Sequence, residues 1–153
     1  GITTVDYITF DTTPETTSSL QGTLSWNIDD LTLDLIQNGT ILQVGQETQY
    51  NVTNNSGQTI LNGTPVMSNG SDGASGNILA RPMDGSSSAN VKYFLGLATE
   101  EILDGSNGKV TTFGKVRGID TSIWNQGDIL WISPIWWKPR TENRERCNTR
   151  NGR

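Results

Sequence analysis

No histidine occurs anywhere in the chain, and cysteine occurs once, at Cys147. The first absence removes Ser-His-Asp and Cys-His catalysis and every imidazole metal site. The second removes an internal disulfide framework and any thiolate zinc site. Long apolar runs are missing too: nothing approaches the roughly 18 residues of a membrane helix, so no membrane partner is expected. Charge is scarce, at 18% of residues, and hydrophobic residues make up only 33%. Disorder combines low hydrophobicity with high charge, and this chain has only the first. Its bulk is Thr, Ser, Asn, Gln and 17 Gly, the residues of strands and tight turns. Its 153 residues are the length of one domain, and a chain this poor in apolar residues gains from burying surface against copies of itself.

The charge is uneven. Residues 1–133 carry 14 acidic against 5 basic side chains, whereas residues 134–153 carry 6 basic and 2 acidic. An acidic body repels phosphate backbones, so nucleic acid is an expected partner only through the basic tail.

Alternation and turn chemistry organise the rest. VDYITFD (Val5–Asp11) alternates as a strand does. GTLSW leads into a turn through Asn27, Ile28, Asp29 and Asp30, and LTLDLI places Leu31, Leu33 and Leu35 on one face. Asn38-Gly39 is a strong hairpin signal, because two-residue hairpin turns favour positive φ at both positions. QYNVTN, TPVM, NILARPMD, VKYFLGLATEEI, GKVTTFGKVRGID and GDILWISP read as further strands, with the Ser-rich turn GSSSAN between two of them. Val110, Thr112, Gly114 and Val116 share one side, and ATEEILDG has room for one helical turn. Turn signals every 8–12 residues are the spacing of sandwiches and barrels. The expected fold class is all-β: an antiparallel meander, sandwich or barrel-like domain.

Few residues offer chemistry. Asp29-Asp30 and Glu100-Glu101 are adjacent carboxylate pairs, and Asp6, Asp11 and Asp34 lie in or beside strands. A glycosidase needs two carboxyls roughly 5–10 Å apart around a sugar, and no spacing here selects a pair; the plainer reading makes Asp29-Asp30 a turn and leaves Glu100-Glu101 solvated. DGSNG (Asp104–Gly108) lacks the closing Glu and the ligand count of a calcium loop. Asn38, Asn51, Asn54, Asn62 and Asn69 each begin an N-x-S/T triplet, and all five read as turn or strand residues. Trp26, Trp124, Trp131, Trp136 and Trp137 are the candidates for interface or glycan contact, with core or interface anchoring the commoner role of such residues. No catalytic, cofactor-binding or metal-binding residue is expected.

One resemblance spans these pieces. GITTVDYITFDTTPE, followed by GTLSWNIDDLTLDLIQNGTILQVGQETQYNVTNNSGQTILNGTPV, resembles a widespread group of tailed-bacteriophage virion proteins described as tail fibre or structural proteins. FLGLATEEI and GKVTTFGKVRGIDTSIWNQGDILWISP are similar to the group's G-L-V-T-E-x-I and G-x-V-T-T-x-G-x-V-R…W-x-x-G-D-x-L-Y-x-S-P patterns. Residues 1–134 follow the pattern in order. The resemblance implies a β-rich chain that assembles as a homotrimer, with strands exchanged or packed around a threefold axis. It implies a virion location, other virion proteins as partners, and no catalytic residues. Trp26–Asp30 falls at the group's W-N-D-T-D-G hairpin turn, Gly45 and Gln46 at its Q-I-G-Q-E step, and Gly114–Arg117 at its G-L-V-R strand.

Residues 135–153, IWWKPRTENRERCNTRNGR, depart from the pattern and form a basic, extended tail beside the β-rich segment 1–134. Read one nucleotide later, the two Trp codons encode Gly-Gly, which restores the group's S-P-x-G-G turn. A frame-shifted end is therefore one expectation. The rival is an authentic basic tail that docks on an acidic neighbour or on packaged DNA. The expected function is that of a non-enzymatic virion structural protein in a tail fibre or related appendage. The alternatives are a capsid decoration protein and a carbohydrate-binding receptor module that contacts host surface glycan.

Overall fold

The computed structural model describes residues 4–16 and 18–132; the tail 135–153, with Trp136 and Trp137, lies outside the described residues. The β-rich expectation holds, as a small antiparallel sheet followed by a five-stranded closed barrel.

Strands β1 (Leu24–Asn27), β2 (Thr32–Ile36) and β3 (Ile41–Gln43) form the antiparallel sheet in the order β1-β2-β3. Trp26 stands opposite Leu33, and Asp34 opposite Gln43. The first turn is built by Asn27, whose Oδ1 accepts the N–H groups of Asp29 and Asp30 at 3.0 Å each, a side-chain substitute for a backbone turn. The second turn is the one expected at Asn38-Gly39, closed by the Gln37 N–H donating to the Thr40 carbonyl at 2.9 Å. Only Gly39 takes positive φ, at 81°; Asn38 does not, so the turn is not the doubly left-handed form that the dipeptide favours.

The barrel comprises β4 (Thr48–Asn54), β5 (Pro65–Ser71), β6 (Ile78–Pro82), β7 (Phe94–Ala98) and β8 (Asn107–Phe113), closed in the order β4-β6-β5-β7-β8. Every pairing is antiparallel except β4 with β6, which is parallel from Val52↔Ile78 to Asn54↔Ala80. That pair departs from the purely antiparallel expectation. The β5–β6 hairpin inserts so that its second strand, not its first, meets β4. The β4–β5 connection must then cross one end of the barrel. It plugs that end: Ile60 and Ile102 form an antiparallel bridge with reciprocal bonds of 2.9 and 2.8 Å. Both are buried and join Val52, Val66, Ala80, Ala98 and Val110 in one core. Asn54 fastens the crossing. Its Nδ2 donates to the Gln58 and Ile102 carbonyls at 2.7 and 2.8 Å, and its Oδ1 accepts from Ser56 N–H and Oγ. This buried amide has its donors and acceptor satisfied, as burial requires.

Four other expectations need correction. Val5–Asp11 is not a strand; alternation supplies two faces, but no neighbouring strand among the described residues offers it a ladder. Residues 127–132 of GDILWISP likewise hold no strand. VKYFLGLATEEI divides into a 3₁₀ helix (Ser88–Tyr93), capped by Ser87 Oγ accepting from the Ala89 N–H, then β7 and an isolated bridge at Ile102. GKVTTFGKVRGID stops pairing at Phe113, and its one-sided pattern fails earlier. A register shift opposite Thr48/Gln49 leaves Thr112 unpaired, so Val110 and Thr111 are both buried while Thr112 is exposed.

Candidate functional site

The tryptophans do not gather on one element. Trp26 is half-buried on β1 with its Nε1 lacking an acceptor among the described residues. Trp124 is half-buried in a turn where its N–H donates to the Thr121 carbonyl at 3.1 Å. Trp131 is 60% exposed. What surrounds Trp131 is more informative than the residue alone. Ile123 and Ile129 are each 72% exposed, and Leu130 and Ile132 are exposed beside it. At the other end of the described chain, Val5, Tyr7 and Ile8 are exposed, Tyr7 at 83%. Both stretches lie outside the sheet and the barrel among the described residues, with a single bridge position at Trp131. The outer edges of β1 and β3 also carry no neighbour in their sheet among the described residues, and such edges pair readily with another chain.

A second constellation fastens the sheet to the segment that follows the barrel. Asp30 accepts from Gln43 Nε2 at 2.5 Å and from Lys115 Nζ. Lys115 first, and Gln43 next, hold its carboxyl below the ordinary aspartate value. Glu47 has a fully buried side chain; its Oε2 accepts the Gln43 N–H at 3.0 Å, and Arg117 Nη2 lies 2.9 Å from Oε1. That last contact is an ion pair only, because Oε1 has no aligned hydrogen-bond donor. Gly114, at φ 119°, lets the segment pass: a Cβ there would come within 2.6 Å of Glu47 Cγ. The Asn62 Nδ2 donates to the Arg117 carbonyl at 2.7 Å. Asp30 thus does more than form the expected turn. Glu100, expected to be solvated, is half-buried with Oε1 accepting the Lys109 N–H at 2.8 Å. These groups hold elements together.

The third feature is a cleft of about 720 Å³ on the plugged side of the barrel. Its floor is the Gln58–Pro65 crossing and its wall the Arg81–Ser86 stretch that leaves β6, with Ile132 on the rim. The Arg81 guanidinium donates to no protein atom among the described residues, and its Nε is buried without a partner. Asp84 Oδ1 accepts the Ser86 N–H at 2.9 Å. The Ser86 hydroxyl and then this N–H hold the Asp84 carboxyl below its usual range, against desolvation, with a smaller contribution from the Arg81 charge. The two charged groups share the cleft without an ion pair. Sequence reasoning missed both, since an isolated Arg-Pro-Met-Asp stretch in a strand carries no spacing signal.

The remaining sequence candidates are spent locally. Asp104 Oδ1 accepts the N–H groups of Ser56 and Gly57 at 3.2 and 2.8 Å, so DGSNG is a turn that ties two loops. Asn54, within an N-x-S triplet, is completely buried. Among the described residues no three His, Cys, Asp or Glu side chains gather as a metal ion would need, and no helix is long and apolar enough to cross a membrane. No family model, no curated protein and no solved structure matches the chain.

Proposed function

We propose that the chain is a non-enzymatic structural protein of a phage virion, a component of a tail fibre or related appendage, that works as a homotrimer. The observation that carries this reading is the pair of stretches, Val5–Phe10 and Ile129–Ile132, that expose large apolar side chains and join neither the sheet nor the barrel among the described residues. A monomer gains little from presenting Tyr7, Ile8, Ile129 and Trp131 to water, whereas an assembly buries them at roughly 1.5–3 kcal/mol per fully buried side chain. The order of motifs over residues 1–134 supplies the phage context. The polar, weakly charged outer residues suit a surface that faces the medium.

Light scattering of the full chain across a dilution series tests the assembly. A concentration-independent mass of three copies is the expected result. A monomer at every concentration removes the trimeric appendage and leaves a decoration protein of the head as the next reading. Antibody labelling of purified particles then separates tail from head.

A further inference from the structure

We propose that Asn38-Gly39 is a site of spontaneous chemical modification, where the asparagine converts to aspartate and isoaspartate by reaction with the main chain that follows it. The inference uses one chain only and stands apart from the trimer. The Gly39 nitrogen, once it has lost its proton to base, attacks the side-chain carbonyl carbon of Asn38. The N–C bond forms, the bond from that carbon to Nδ2 breaks, and the departing nitrogen takes a proton from water and leaves as ammonia. A cyclic imide remains. Water then opens the imide at either of its carbonyls. One opening gives aspartate; the other gives isoaspartate, with the main chain rerouted through the side chain. Amide and water become acid and ammonia, and no electron changes hands.

Glycine follows asparagine at four places in the described residues, Asn38, Asn62, Asn69 and Asn107, and a glycine nitrogen is open to this reaction because no Cβ shields it. Sequence therefore ranks the four alike, and the fold separates them. Asn62 is held at both reacting groups: its Nδ2 donates to the Arg117 carbonyl at 2.7 Å, and the buried Gly63 donates its N–H to the Ala98 carbonyl at 2.8 Å. Asn107 accepts from the Thr53 hydroxyl at 2.7 Å, and both it and the buried Gly108 are fixed in β8 against β4. Asn69 is held more loosely, by bonds of 3.3 Å from its Nδ2 to the Asn55 carbonyl and from the Gly70 N–H to the Ser68 hydroxyl. Asn38 and Gly39 are both exposed, and neither the Asn38 amide nor the Gly39 N–H has a partner among the described residues. Nothing has to break before the two meet. The isoaspartate product cannot keep the turn. The Gln37 N–H closes it onto the Thr40 carbonyl at 2.9 Å, and isoaspartate adds a carbon to the chain inside that span. Gly39 has no room to yield, because a Cβ there would already overlap the Glu100 carboxylate.

The chain has no Lys or Arg before Arg81, so the test digests with pepsin, at an acidity where imide formation is slow. The full chain is held at neutral and at mildly alkaline pH, folded and in concentrated urea, and its peptides are weighed over time. In the folded chain Asn38 is expected to convert at least tenfold faster than Asn62 and Asn107, with Asn69 between them. In urea the four rates should draw together, and alkaline pH should speed conversion by supplying the deprotonated nitrogen. The Gln37 amide should lose its protection from hydrogen exchange as isoaspartate accumulates. No conversion in the folded chain, an intact Asn38 while another of the four converts, a spread of rates that urea leaves unchanged, a rate independent of pH, or a Gln37 amide that stays protected overturns the proposal.

Discussion

Gly96 and Gly108 show how little room a barrel of this size leaves. A Cβ on Gly108 would come within 2.5 Å of Ile102 Cγ1, and a Cβ on Gly96 would run into the Thr111 carbonyl across the β7–β8 pair. Gly108→Ala has to displace a buried isoleucine and should cost about 1–3 kcal/mol by overpacking. Gly96→Ala meets backbone and should cost more. In the opposite sense, Ile102→Ala empties the plug and should cost about 2–5 kcal/mol. Urea denaturation of the three variants checks the order. Asn54→Ala should cost about 1–3 kcal/mol, since it removes four hydrogen bonds at a buried site, while the Ile102 carbonyl keeps the Ile60 N–H, the Gln58 carbonyl keeps the Ser56 hydroxyl and the Ser56 N–H keeps Asp104. An Asn54→Ala midpoint equal to wild type would show that the crossing loop is held by something else. None of this was legible in the residues themselves. Asn54 reads as a turn residue, because its carbonyl partner at Ile102 is 48 positions away.

At the scale of elements, local chemistry was readable and long-range pairing was not. The hairpins at Asn27–Asp30 and Asn38-Gly39 appear where the turn residues place them, because a turn is decided by four neighbours. The parallel β4–β6 pair and the closing β4–β8 pair depend on which strand edge is free after the others have docked, and no window of sequence contains that information. Val5–Asp11 has the alternation of a strand but no ladder among the described residues. The junction between sheet and barrel was equally hidden: Asp30 and Lys115 are 85 residues apart. It yields a pH prediction. The folded-state pKa of Asp30 is lowered, chiefly by Lys115, so below the unfolded value of about 3.9 the unfolded chain binds the proton that the folded chain refuses. Stability from this contact is present above that pH and is lost as pH falls through the folded value. Asp72, Asp84 and Asp120, lowered by their serine and backbone partners, act in the same direction. Lys115→Met should therefore flatten the dependence of thermal midpoint on pH below about 4, with little change in slope between pH 6 and 8. An acid limb as steep as wild type would mean that Lys115 does not hold Asp30 in solution. Arg117→Met tests the other half of the junction: it leaves the buried Glu47 carboxylate without its cation. Breaking a fully buried pair costs about 3–5 kcal/mol, and less is expected here because Arg117 is itself 40% exposed.

For the whole molecule the decisive contrast is between a small core and a large unpartnered periphery. The barrel closes around seven buried residues, two of them alanine, while seven apolar residues near the ends of the described chain face solvent: Val5, Tyr7, Ile8, Ile129, Leu130, Trp131 and Ile132. Association costs an estimated 4–15 kcal/mol in lost freedom. Burying these seven on assembly returns on the order of 10 kcal/mol per copy, inside that range, whereas either cluster alone returns about half as much and covers little beyond its lower end. Assembly should then be cooperative in the two clusters. Removal of residues 1–10, or the double change Ile129→Ser with Trp131→Ser, should each convert a threefold mass to a monomer in light scattering. The thermal midpoint of the barrel in the resulting monomers should match between the two variants, because neither cluster contributes to the buried core. Retention of the threefold mass by both variants would place the interface elsewhere, on the open edges of β1 and β3. A monomer that also loses the barrel transition would show that the barrel needs its neighbours to fold, making stability and assembly a single concentration-dependent quantity.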